Sequence, residues 1–216
     1  RESAYVTFYS VLSELRTMHH VDVYITGSNS KLLISDVATI FRGRGQSIQV
    51  TPLSFSEFMP LRKGCETQAI FNEYLTFGGL PKCVLAKSDA ERKAYLDELY
   101  RTIYLRDIIE RNKIKEPTIL ESLLDVVMSG IGGLTNPSRI SDTMNTVAKL
   151  NTNPTTIGKY LGFLKNAFLV DETKRYDVRG RRHLESPCKY YAADTGLRNA
   201  RVNFRQNEQT HLMENV

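Results

Sequence analysis

The 216-residue chain has no apolar run near the roughly 18 residues that a membrane span requires. Its apolar stretches, such as Ala167-Phe168-Leu169-Val170, are only a few residues long. The N-terminus, Arg-Glu-Ser-Ala-Tyr, has no apolar signal region and no initiator Met. A cytoplasmic protein with no membrane partner is expected, its start a cut boundary. Cysteine is scarce: Cys65, Cys83 and Cys188 are odd in number, far apart and without a CxxC pair, which argues against a disulfide framework or a zinc site. His183 and His211 make no ligand spacing with Cys188, and His19-His20 has no carboxylate pair suited to metal. Ser54 and Ser56 lack a GxSxG frame. The string GxxxxGK[ST], whose amides cradle phosphates, is missing as well. Lys63-Gly64 runs in the wrong order, and Gly158-Lys159 lacks the leading glycine and the following Ser or Thr. No apolar strand ending in Asp-Asp or Asp-Glu precedes residue 21 to hold magnesium. The chain alone is therefore expected to be inactive in any chemistry that relies on that motif.

What is present belongs to a globular chain, 41% hydrophobic and 25% charged. Its net charge of +5 permits an acidic partner without requiring one. Residues 4–17 carry apolar side chains mostly three and four apart, which predicts an amphipathic helix. Val21 to Thr26 reads as a short buried strand, and Gly27-Ser28-Asn29-Ser30 as a polar turn into a helix. That order is typical of an α/β sheet, in which ligands sit at the carboxyl ends of strands, here Thr26 to Asn29. Ser47 to Val50 predicts a second short strand, and residues 53–58 a helical turn. Helices are expected over 66–76, 81–86 and 88–111, then over 117–129, 137–148 and 153–166. Strands at Phe168-Leu169-Val170 and Tyr190-Tyr191-Ala192 follow, so three helices and a hairpin give the winged-helix order. The fold class expected is α+β, mostly helical.

Several side chains stand out by chemistry. Ser28 and Asn29 can hydrogen-bond a phosphate oxygen or orient water; they can equally cap the helix starting at Lys31. Arg42 and Arg44 flank glycines and suit a phosphate, or are loop arginines in solvent. Lys174, Arg175, Arg179, Arg181 and Arg182 oppose one acid, Asp177. Thr155 and Lys159 lie near the start of the preceding helix, where the helix end favours phosphate. A basic wing beside such a helix suits duplex DNA; packing on a neighbouring domain is the alternative. Asp107 with Arg111 and Arg106 with Glu110 read as surface pairs four residues apart, and Asp194 as a turn or cap residue.

Five pieces in series carry a family resemblance: Ile25-Thr26-Gly27-Ser28-Asn29-Ser30-Lys31-Leu32-Leu33, Gly43-Arg44, Pro52-Leu53-Ser54-Phe55-Ser56-Glu57-Phe58, Gly78-Gly79-Leu80-Pro81, and Tyr190 through Arg198. Over nearly its whole length the chain resembles the prokaryotic AAA-type P-loop ATPases that carry a C-terminal winged-helix module of unknown function. The resemblance implies a partial AAA+ core over 1–65, a helical lid over 66–112 and a winged helix over 113–200. Residues 201–216 would open a further, truncated domain. It places Ser28 and Asn29 at the sensor position near the γ-phosphate, and Arg44 at a Gly-Arg position beside the phosphates. ATP and Mg are implied for the intact protein and neither for this chain. The expected partners are double-stranded DNA or a protein, with a second copy pairing through sheet edges left open in residues 1–60. The alternative is a nucleic-acid-binding or scaffolding module with no nucleotide chemistry.

Overall fold

A computed structural model describes residues 10–15, 17–26, 46, 48–174, 187–204 and 209–216. The chain divides into two compact units, Arg1–Gln49 and Val50–Val216. In the first, residues 10–15 are helical and Leu12 is buried. The Thr17 amide and hydroxyl both donate to the Glu14 carbonyl, which ends that helix. The expected strand over 21–26 is not formed, and the described residues 48–50 of the second expected strand join no ladder either. Tyr24, Ile48 and Val50 stand exposed. β-branched residues favour extended backbone, but a strand is stable only with neighbours that bind its amides and a face that covers it.

The second unit is built from helices with one small sheet. Ser54 and Glu57 form a reciprocal capping box that starts α1 (Phe55–Phe58), followed by a 3-10 turn at Met59–Leu61. α2 (Thr67–Phe77) ends at Gly78, whose φ of 73° suits glycine. α3 (Pro81–Leu85) starts on a proline. Ser88 caps α4 (Asp89–Glu98), which continues through a π-helical segment, Leu99–Leu105, into α5 (Arg106–Asn112). α6 (Pro117–Ser129) buries Ile119, Leu120, Leu123, Leu124, Val127 and Met128, one face of a 3.6-residue period. α7 (Pro137–Val147) and α8 (Pro154–Asn166) each start on proline behind an asparagine cap.

The sheet holds β1 (Leu134–Thr135), β2 (Val170–Lys174) and β3 (Cys188–Ala192), all antiparallel in the order β1-β3-β2. Val170 faces Ala192, Lys174 faces Cys188, and Thr135 faces Cys188 from the other side. Central β3 buries Cys188, Tyr190 and Ala192, the alternation expected of a sheet covered on one face. α9 (Thr195–Arg201) and α10 (Gln209–Asn215) close the chain. Residues from Phe77 to Ile108 and from Ile119 to Leu197 share one hydrophobic cluster. A satellite of Leu75, Ile131 and Leu212 ties α10 to α2. The described residues are thus mostly helical with one three-stranded sheet.

Candidate functional site

Two regions gather the polar side chains that the sequence makes conspicuous. One is the start of α8. Asn153 accepts the Thr156 amide at 2.8 Å, satisfying a free donor of the first turn. The turn before it is locked: the Thr152 amide donates to the Asn145 side chain at 2.8 Å, and that amide group returns a bond to the Thr152 carbonyl at 3.0 Å. Ser141 lies 3.2 Å from the same carbonyl. Ile157, Tyr160, Leu161 and Leu164 face the core, so Thr155 and Lys159 face solvent on the opposite side. The Lys159 ammonium sits 5.7 Å from the Phe163 ring centroid. A rigid helix start with an exposed hydroxyl and an ammonium can meet a phosphate backbone. Lys174 ends β2, where the basic stretch begins. Arg175, Arg179, Arg181 and Arg182 lie outside the described residues, as do Ser28, Asn29, Arg42 and Arg44. The structure therefore presents Thr155 and Lys159 together and bears on none of the others.

The second region is a buried joint. Asp194 caps α9 by accepting the Leu197 amide at 3.1 Å, and its other oxygen accepts the Gly79 amide at 2.7 Å. A Cβ on Gly78 would fall 2.1 Å from the Asp194 carboxylate. One on Gly196 would fall 2.1 Å from the Phe77 carbonyl, and one on Gly79 would fall 2.0 Å from the Leu53 carbonyl. Leu53 donates its amide to Gly79 at 2.9 Å and accepts the Tyr74 hydroxyl at 2.8 Å. Thr195 and Asn199 satisfy the last carbonyls of α2, at Tyr74, Leu75 and Thr76. Arg198, 2% exposed, donates to the Met128 carbonyl at the end of α6. Burial lifts the Asp194 carboxyl to about 6 against the backbone amides that hold it down. This joint is structural: its groups face each other and not solvent. It absorbs the Gly78-to-Pro81 and Ala193-to-Arg198 strings of the sequence. Asn199 and Arg198 carry no helical or strand signal that marks them as buried.

The remaining candidates take structural places. Arg106–Glu110 and Arg111–Asp107 are surface pairs at 2.7 and 2.8 Å, as their spacing predicts. Burial pushes the Cys83 thiol up to about 12, so it is no thiolate nucleophile. Among the described residues no group of three or more His, Cys, Asp or Glu is placed to hold a metal ion. No described helix is long and apolar enough to cross a membrane.

Residues 68–208 match the family described as Domain of unknown function (DUF8612). Residues 4–59 match a family described as AAA domain. An uncharacterized protein of Haemophilus influenzae is 35% identical over 211 residues, covering 95% of this chain and 52% of its own length. The uncharacterized protein MJ1544 of Methanocaldococcus jannaschii is 27% identical over 208 residues, 90% of this chain and 46% of its own. The chain spans about half the length of the curated relatives it matches. No solved structure matches it.

Proposed function

The chain belongs to the DUF8612 family, and from that premise we propose that it is the rear part of an AAA-type ATPase joined to a DNA-contacting winged helix. One observation carries the reading: an AAA match over 4–59 is followed in the same chain by α6, β1, α7, α8, β2 and β3 in the sheet order β1-β3-β2. That order of helices and strands supports reading the segment as a winged helix, with α8 as its recognition helix.

In this reading ATP with Mg supplies the free energy, and these 216 residues, which lack GxxxxGK[ST], do not cradle its phosphates. Ser28 or Asn29 positions the attacking water or a γ-phosphate oxygen by a neutral hydrogen bond. Arg44, with Arg42 beside it, offsets charge on the transferring group, within the subunit or across to a neighbouring copy. Thr155 and Lys159 approach the groove, while Arg175, Arg179, Arg181 and Arg182 hold phosphates and set register. A cytoplasmic setting follows from such a partner.

The test is fluorescence anisotropy of a labelled short duplex at low and moderate salt. Wild type binds with a salt-dependent affinity. Lys159→Ala lowers the slope of log K against log salt by about 1, and Arg181→Ala/Arg182→Ala by about 2. Absence of binding at low salt would overturn the DNA contact and make the module a docking surface for protein.

A further inference from the structure

In an antiparallel strand the backbone groups of alternate residues point to opposite neighbours. The Ala193 amide bonds the Leu169 carbonyl at 3.0 Å on the β2 side, so the amides and carbonyls of Cys188, Tyr190 and Ala192 point to the β1 side. β1 reaches only Lys189 and Cys188 in register, and the Gly132 amide extends the pairing to the Tyr190 carbonyl at 3.0 Å. At Ala192 the partner is a side chain instead. The Ala192 amide donates to the Asn215 side-chain oxygen at 2.8 Å, and the Ala192 carbonyl accepts the Asn215 NH2 at 2.9 Å. An asparagine side chain ends in an amide, so this pair copies the two bonds that facing strand residues exchange.

Asn215 arrives on α10, which is anchored by Leu212 and Glu214 as well. Leu212 is buried against Leu75 and Ile131, with Phe71 packed beside them. Glu214 pairs with the Lys189 ammonium and accepts the Tyr191 hydroxyl at 3.2 Å. Gly132 makes room for that carboxylate, since a Cβ there would fall 2.7 Å from it. Met213 and Val216 stand exposed. Seven residues are fewer than the roughly 12–15 that an isolated helix needs. α10 is therefore helical because it is docked. Its bonds to Lys189, Tyr191 and Ala192 span 23 to 25 positions, so the same segment of a second copy would make them unchanged.

We propose that α10 is a detachable strap. It seals the β1 side of β3 with Asn215 acting as a strand residue, and it opens as one piece while the rest of the unit stays folded. Opening uncovers the Ala192 backbone groups and the hollow lined by Leu75 and Ile131, an unpaired edge beside apolar surface. The occupant that fits this groove is the α10 segment of a second copy. Its Leu212 fills the hollow, its Glu214 matches the Lys189 charge and its Asn215 pairs with Ala192. These bonds are the same within a chain and between chains, so covalent linkage alone favours the chain's own segment.

Hydrogen exchange of the full chain, followed by NMR at the Ala192 amide and at the Leu164 amide in α8, tests both parts. Leu212→Asp removes the apolar anchor without touching Asn215. Exchange at Ala192 is expected to rise about tenfold or more, with Leu164 unchanged. Leu212→Ala gives the same pattern to a smaller extent and guards against misfolding of the first variant. A peptide of residues 209–216 restores slow exchange at Ala192 of the Leu212→Asp chain, with a Kd of about 1 mM. The same peptide with Asn215→Ala does not. Equal acceleration at Ala192 and Leu164 in both variants would make α10 an inseparable part of the core. Unchanged exchange at Ala192 would separate Asn215 from the Leu212 anchor. A peptide that restores nothing by about 10 mM would leave the groove closed to a second copy. Each of these results overturns the proposal.

Discussion

Asp194 is the side chain on which distant segments of the second unit converge. Its carboxylate accepts amides from Gly79, 115 residues earlier, and from Leu197 in its own helix. Asparagine at this position replaces one acceptor oxygen by an NH2 that points donors at donors. Burial has raised the folded carboxyl from its ordinary 3.8 to about 6, so the folded chain holds that proton more tightly than the unfolded chain does. The stabilisation from this group is therefore fully present below 3.8 and is lost as the pH rises through about 6. Urea unfolding of wild type and Asp194→Asn side by side is expected to show a deficit of about 2–3 kcal/mol near pH 4. That deficit narrows as the pH passes 6. A deficit that widens instead would mean that the amides hold the carboxylate more strongly than burial opposes it. The capping role of Asp194 is legible in Ala-Asp-Thr-Gly-Leu-Arg, since Asp before a short helix is a cap signal. Its bond to Gly79 is not, because a contact over such a separation leaves no trace in local periodicity.

At the scale of elements, proline and asparagine write the clearest signals. Expected bounds 117–129 and 153–166 fall on α6 and α8 within a residue, because Pro117 and Pro154 mark first turns and the apolar face repeats behind them. β1 is invisible in Gly130-Ile131-Gly132-Gly133-Leu134-Thr135: two residues cannot show alternation, and it exists by pairing with β3. The π-helical turn at Leu99–Leu105 likewise hides inside a continuous helical pattern. The strand expected over 21–26 fails for the reverse reason, since its composition is right but it pairs with no strand among the described residues. Of the candidate residues, only the outward position of Thr155 and Lys159 is seen, and it follows from the apolar spacing of Ile157, Tyr160, Leu161 and Leu164 on the core face of α8. The asparagine cap offers an element-scale measurement. Asn153→Ala leaves the Thr156 amide unmet and is expected to cost about 1 kcal/mol in urea unfolding. Asn153→Ser restores most of it, while a loss that serine does not recover would assign Asn153 a contact beyond the cap.

The second unit joins its first helices, α2 to α5, to the later helices and the sheet through one interior. Phe77, Cys83, Leu96, Tyr100 and Ile108 from the first half pack in the same cluster as Leu123, Met128, Ile157 and Leu164 from the second. The α9 side chains tie the end of α2 to the end of α6 by hydrogen bonds at Leu75, Thr76 and Met128. Removing either half would strip the other of covered apolar surface, worth about 25 cal/mol for each Å² exposed. Residues 50–216 are therefore expected to unfold in one cooperative transition, although the sequence reads as separate segments on either side of Lys113. Native-state hydrogen exchange in rising urea tests this with amides of Leu96 and Ile108 against those of Ile157 and Leu164. The four should converge on a single opening free energy. Leu123→Ala, which opens a cavity in the shared cluster, should lower all four together by about 2–5 kcal/mol. If Leu96 and Ile108 opened at lower urea and ignored Leu123→Ala, helices α2 to α5 would be a separate domain that merely rests on the rest of the unit.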